Sequence, residues 1–89
     1  MKIQLFTQQH CPKCPPAKEA VMEIKTERDI EVCEFDVETV DGMAEAAYYG
    51  IMSTPAVVLV DNGGEEIISW RGIAPDKDTI LRLLDDENQ

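Results

Sequence analysis

Basic residues are scarce in this chain. Eight lysines and arginines stand against 18 aspartates and glutamates, giving a formal net charge of −10. Such a balance repels nucleic-acid phosphates and anionic membrane surfaces, so neither is expected as a partner. Cysteines are few as well, three in number. A small secreted disulfide scaffold normally carries an even set spread along the sequence, so that class is excluded. Long apolar runs are missing too. The stretch around Ile3, Leu5 and Phe6 is too short for a signal-peptide core and runs straight into Gln8 and Gln9. No segment approaches the roughly 20 apolar residues that cross a bilayer. These absences predict a protein made and kept in the cytosol, where structural disulfides are rare and a Cys-x-x-Cys is catalytic or metal-binding.

What is present suffices for a core. Of the 89 residues 44% are hydrophobic, which suits one domain over 1–89 that buries roughly 60–65% of its unfolded surface. The acidic surplus reads as a solvated surface that keeps the protein soluble. The sharper alternative is a field that steers it toward basic patches on other proteins.

Lys2 to Thr7 alternates polar and apolar residues as far as Phe6 and reads as a strand. Cys11-Pro12-Lys13-Cys14-Pro15-Pro16 follows. After those prolines Ala17, Ala20, Val21 and Ile24 form one apolar helical stripe. Ile30 to Val37 is a second strand. Asp41 is the expected N-cap of a short helix carrying Met43, Ala46 and Ala47, with Gly50 at its end. Ala56 to Val60 is a buried strand by its length and β-branching. Asp61-Asn62-Gly63-Gly64 then turns the chain, so Glu65 to Trp70 returns antiparallel until Gly72 breaks it. Asp76 caps a last helix with Ile80, Leu81 and Leu84 facing inward, and Asp85 to Gln89 reads as a frayed acidic tail. The order is β-α-β-α-β-β-α, with a right-handed parallel crossover first and a hairpin last.

The chemistry is concentrated at Cys11 and Cys14. Disulfide exchange needs one thiol ionised at neutral pH and a second within reach to release the mixed disulfide. A strand–helix junction supplies both, because helix N-terminal amides and the dipole favour an anion at the first sulfur. Such placement lowers a cysteine pKa to roughly 3.5–7.5. Lys13 adds a positive charge between the two cysteines, and Lys18 a second one turn on. Pro12 costs nothing at a helix start, where its missing amide has no partner anyway. The alternative is a zinc- or cluster-binding module drawing on Cys11, Cys14 and Cys33, with His10 beside them. Against it, Cys33 lies in mid-strand, in alternation with Phe35 and Val37, as a small buried hydrophobe would. His10 is either a charged neighbour that stabilises the Cys11 thiolate or an exposed loop histidine. Trp70 either lines a docking groove or fills the core. A further non-enzymatic alternative is an interaction domain docking through its acids.

Strand, Cys-x-x-Cys, helix and then Thr54-Pro55 before an apolar strand resemble the thioredoxin/glutaredoxin superfamily over nearly the whole chain. The resemblance implies an α/β thioredoxin fold, a four-stranded mixed sheet flanked by three helices. It implies a cis Pro55 facing the disulfide and a Thr54 whose backbone pairs with substrate in strand fashion. Tyr49-Gly50-Ile51 and the Asn62-Gly63 turn are similar to thioredoxins. His10 stands where thioredoxins usually carry Trp, and Leu5 where they bury an acid beneath the disulfide. Cys-Pro-x-Cys is similar to glutaredoxins, whose glutathione-holding Gly-Gly-x-Asp segment is absent. Ser69-Trp70-Arg71-Gly72-Ile73-Ala74-Pro75-Asp76 is similar instead to a segment of the glutaredoxin-like redoxins that reduce ribonucleotide reductase, with Arg71, Ile73 and Ala74 as departures.

The resemblance therefore implies a monomeric protein-disulfide reductase without cofactor or metal. Cys11 attacks and Cys14 resolves, with Lys13 and His10 modulating. Thr54, Pro55, Gly72 and Ile73 form the substrate groove. Its partners are protein disulfides and a thioredoxin reductase-type flavoenzyme. Glutathione is disfavoured as electron source, because Asp76 and Asp78 place negative charge where its carboxylate would sit.

Overall fold

A computed structural model describes residues 1–87, and Asn88 and Gln89 lie outside it. Seven elements follow in the expected order: β1 (Lys2–Thr7), α1 (Cys14–Glu27), β2 (Glu31–Asp36), α2 (Val40–Tyr48), β3 (Ala56–Val60), β4 (Glu66–Arg71) and α3 (Lys77–Glu87). The sheet order is β2-β1-β3-β4. β1 runs parallel to β2 and antiparallel to β3, and β3 pairs antiparallel with β4. The result is a mixed four-stranded sheet with three helices.

Two core clusters show why the central strands are so apolar. Ile3, Leu5, Val57 and Leu59 join Val21 and Ile24 of α1 and Ile80 and Leu84 of α3. The alternate residues Phe6, Ala56, Val58 and Val60 join Ala46 of α2. With helices on both faces, β3 is fully buried along its length, its five residues at 0% exposure. Each fully buried Val, Leu or Ile there contributes about 1.5–3 kcal/mol. The same two-sided cover buries a polar residue of β1. Gln4 is only 3% exposed, on the α2 face, paired in register with Cys33.

Two boundaries also differ. The N-cap of α2 is Thr39, whose Oγ1 accepts from the Gly42 amide at 3.0 Å. Asp41 sits inside the first helical turn instead. Asp76 does cap α3, accepting from the Asp78 amide and the Thr79 hydroxyl. The acidic end is not frayed over Asp85 and Asp86, which belong to α3. Asp85 is held there by Arg28, which follows α1, through bonds of 2.8 and 3.0 Å. At the other end of α3, Lys77 pairs with Glu23 and Glu27 of α1.

These exposed pairs set a modest pH dependence. The hydrogen bond and charge of Arg28 hold the Asp85 carboxyl below the usual aspartate range. A depressed folded pKa contributes stability that is present above the unfolded value and lost as pH falls through the folded one. Asp85→Asn is therefore expected to lower the urea midpoint slightly at pH 7 and to leave it unchanged near pH 2. Added salt should shrink the pH 7 difference. An equal deficit at both pH values would remove the ion pair as its cause.

Candidate active site

The segment between β1 and α1 carries the redox pair. Cys11 and Cys14 are joined as a disulfide with Cα atoms 5.4 Å apart. Cys14 opens α1 and is buried at 6% exposure, whereas Cys11 is half-buried. Burial thus separates the two residues: Cys11 is partly exposed and Cys14 is buried.

The helix start differs from expectation. Pro12 lies outside α1, which begins at Cys14 with Lys13 as its cap position. Pro15 and Pro16 fill the first turn and have no amide hydrogen to offer. The Cys14 amide is already bonded to the Cys11 carbonyl at 3.2 Å. Free amides from the first helical turn therefore contribute less at Cys11 than a proline-free turn would supply, and the dipole and the exposed Lys13 remain. Lys18 is not free either: its ammonium lies 3.3 Å from Glu34 on β2.

A cavity of about 610 Å³ opens against both cysteines, with His10, Lys18 and Glu34 also on its walls. His10 has a φ of +61°, a conformation a non-glycine residue seldom adopts. A second cavity of about 360 Å³ lies beside it, lined by Val37, Met43, Ile51, Met52 and Thr54. Gln8 lines both cavities, and its Oε1 accepts the Thr54 hydroxyl at 3.2 Å. Sequence reading treated Gln8 only as a polar neighbour; its partner is 46 residues away, and no local signal points to it.

The Thr54–Pro55 peptide bond is cis, the isomer the resemblance implies. Gly72 donates its amide to the Pro55 carbonyl at 2.7 Å, with a φ of +81° that favours glycine. Ile73 beside it is 55% exposed. Thr54, Pro55, Gly72 and Ile73 are thus linked by neighbouring positions and one hydrogen bond, and Gln8 ties Thr54 to the loop that precedes Cys11.

Other candidates fall elsewhere. Trp70 is partly buried, packs against the cluster of Ile3, Leu5 and Val57 and pairs with Val57 in register, so it flanks the core. Arg71 is engaged internally, with bonds to the Tyr49 and Gly50 carbonyls, Glu66 and Ser69. Cys33 carries a free thiol. It alternates with Val32, which packs on the α1 side of the sheet, so it points to the opposite face from Cys14. Among the described residues no group of three or more His, Cys, Asp or Glu side chains is placed to hold a metal ion, and nothing supports the metal-binding alternative. No helix of the described residues is long and apolar enough to cross a membrane.

Comparison with known proteins agrees with this architecture. Residues 1–85 match the family model described as "Thioredoxin domain". The chain is 34% identical over 84 residues to a protein named "Thioredoxin" from Methanocaldococcus jannaschii, covering 94% of this chain and 92% of that one. It is 36% identical over 90 residues to a "Probable Thioredoxin" from Methanothermobacter marburgensis, covering 98% and 95%. The structure of thioredoxin 1 from Thermosipho africanus superimposes over 100% of both chains with a TM-score of 0.79 at 24% identity, a likeness of fold. With a matching sheet, a Cys-x-x-Cys disulfide at the β1–α1 junction and relatives of nearly equal length, this chain belongs to the thioredoxin domain family of thiol–disulfide oxidoreductases.

Proposed function

We propose that this protein reduces disulfides of other proteins, with Cys11 attacking and Cys14 resolving. The observation that carries the reading is the unequal burial of the two paired cysteines on one cavity, Cys11 half-buried and Cys14 at 6% exposure. In the reduced protein the Cys11 thiolate attacks one sulfur of the substrate disulfide, and the other substrate sulfur leaves as a thiolate. Cys14 then loses its proton and attacks Cys11 Sγ, which releases the second substrate thiolate. Two electrons have passed; the substrate is a dithiol and Cys11–Cys14 a disulfide. Thr54 supplies backbone groups beside this site, and neither its amide nor its carbonyl is bonded within the backbone network of the described residues. Pro55, Gly72 and Ile73 complete the groove, while Lys13 supplies a nearby positive charge and His10 stands on the cavity wall beside Cys11.

The electrons come from a thioredoxin reductase-type flavoenzyme rather than from glutathione. A glutathione carboxylate needs a free cation or amides, and Arg71, the residue before Gly72 of this groove, is committed to its own backbone. At about 4 Å, a carboxylate against Asp76 or Asp78 costs roughly 1–4 kcal/mol across surface-like dielectrics. NADPH oxidation should therefore run faster with a thioredoxin reductase than with glutathione and glutathione reductase at equal protein concentration. Turnover with glutathione at an equal or greater rate would reverse the assignment. Ribonucleotide reductase is the substrate to test first, on the likeness of Ser69 to Asp76 to the redoxins that serve it.

A further inference from the structure

Two consecutive residues of the β4 end hold both ends of the segment that carries Thr54. Arg71 reaches its beginning: Nη1 donates to the Gly50 carbonyl at 2.9 Å and Nη2 to the Tyr49 carbonyl at 3.0 Å. Gly72 reaches its end, donating to the Pro55 carbonyl at 2.7 Å. The guanidinium is itself fixed in place, with Nη2 at 3.0 Å from Glu66 Oε1 and Nε at 3.1 Å from Ser69 Oγ. Four of the five donors of the fork are used in this way.

The carbonyls of Tyr49 and Gly50 lie just past the end of α2, where the chain turns through Gly50 at φ +67° and the helix has no amides left to satisfy them. A cation is also favoured there by the dipole. No other side chain of the described residues donates to these two carbonyls. Beyond the clamp, Met52 is 94% exposed, so packing does little to fix the chain between Ile51 and Thr54.

We infer that Arg71 is a positioning residue for the docking segment, holding the Thr54 backbone where a substrate strand pairs with it. The inference rests on the role given to Thr54 above. Arg71 touches neither sulfur and acts only through segment 50–55. A lysine in its place would keep the charge but could not fork onto two carbonyls.

The test compares Arg71→Met and Arg71→Lys with the unsubstituted protein, on an intact insulin-type protein disulfide and on a small aryl disulfide that needs no strand pairing. Both variants should raise KM for the protein disulfide about fivefold, through ordering that substrate binding must now supply. The value of kcat and the aryl disulfide rate should stay within error. Amide exchange at Gly50 and Ile51, whose hydrogens bond Ala47 and Ala46, should accelerate about tenfold in both variants. An unchanged KM, a parallel loss on both substrates, or full recovery by Arg71→Lys would overturn the clamp. If the unsubstituted protein reduced neither substrate, the reading of the active site would fail instead, and the exchange rates alone would then decide the clamp.

Discussion

Cys11→Ser is expected to abolish disulfide reduction, by about 10³-fold or more, while Cys14→Ser still attacks once and then stalls. A serine hydroxyl is not ionised near neutral pH and cannot replace a thiolate in exchange. The two cysteines are not equivalent substitutes, because Cys14 opens α1 and is 6% exposed while Cys11 lies before the helix and is half-buried. In Cys14→Ser the first step remains, so mixed disulfides between Cys11 and substrate should accumulate and be visible by mass spectrometry under non-reducing conditions. The same geometry orders the reactivity of the reduced protein. Brief iodoacetamide treatment at pH ~6.5 should label Cys11 well before Cys14 and Cys33. First labelling at Cys14, or mixed disulfides that persist in Cys11→Ser, would exchange the two roles.

The largest stability loss from a single added methyl should come at Gly42. A Cβ there would lie 1.9 Å from the Asp36 carbonyl oxygen and 2.9 Å from Thr39 Oγ1. Neither neighbour can yield cheaply. The Asp36 carbonyl accepts from the Thr39 amide at 3.0 Å and its hydroxyl at 2.8 Å, and that hydroxyl oxygen accepts from the Gly42 amide. Helix propensity alone argues the other way, since Ala is favoured over Gly by about 1 kcal/mol in a helix interior. A backbone clash should win: overpacking costs typically 1–3 kcal/mol and a rigid neighbour puts this site at about 3. That is a large share of the roughly 5–15 kcal/mol that holds a domain together. Urea unfolding of Gly42→Ala should show a clearly lower midpoint with the slope unchanged. A midpoint equal to or above that of the parent would mean that α2 shifts away from β2 freely, and the junction would not be the fixed point described here.

Much of this molecule is legible without coordinates. The Ala17–Val21–Ile24 stripe, the β-branched run at 56–60 and the Asp61 to Gly64 turn each specify a local structure through spacing or turn chemistry. Their order, with a Cys-x-x-Cys between the first strand and helix and a Thr-Pro before the third strand, is sufficient to place the fold and the reacting pair. Local rules go wrong where two neighbouring residues can do the same job. Thr39 and Asp41 are both good caps, and only the approach of the helix to the Asp36 carbonyl selects Thr39.

Sequence by itself determined the element order and the Cys-x-x-Cys at the first strand–helix junction, because each depends on residues within a few positions of one another. The isomer expected at Pro55 was implied by the family resemblance. Tertiary structure alone decided what the polar groups do. Lys18 reads as a charge for Cys11, but β2 brings Glu34 to it. Asp85 reads as part of a loose tail, but Arg28 holds it from 57 positions away. Arg71 reads only as a departure from the redoxin segment, but α2 ends where its fork can close on Tyr49 and Gly50. A charged or amide side chain bonds whichever partner the folded backbone places within about 3 Å, and that distance is set by packing between elements rather than by spacing along the chain.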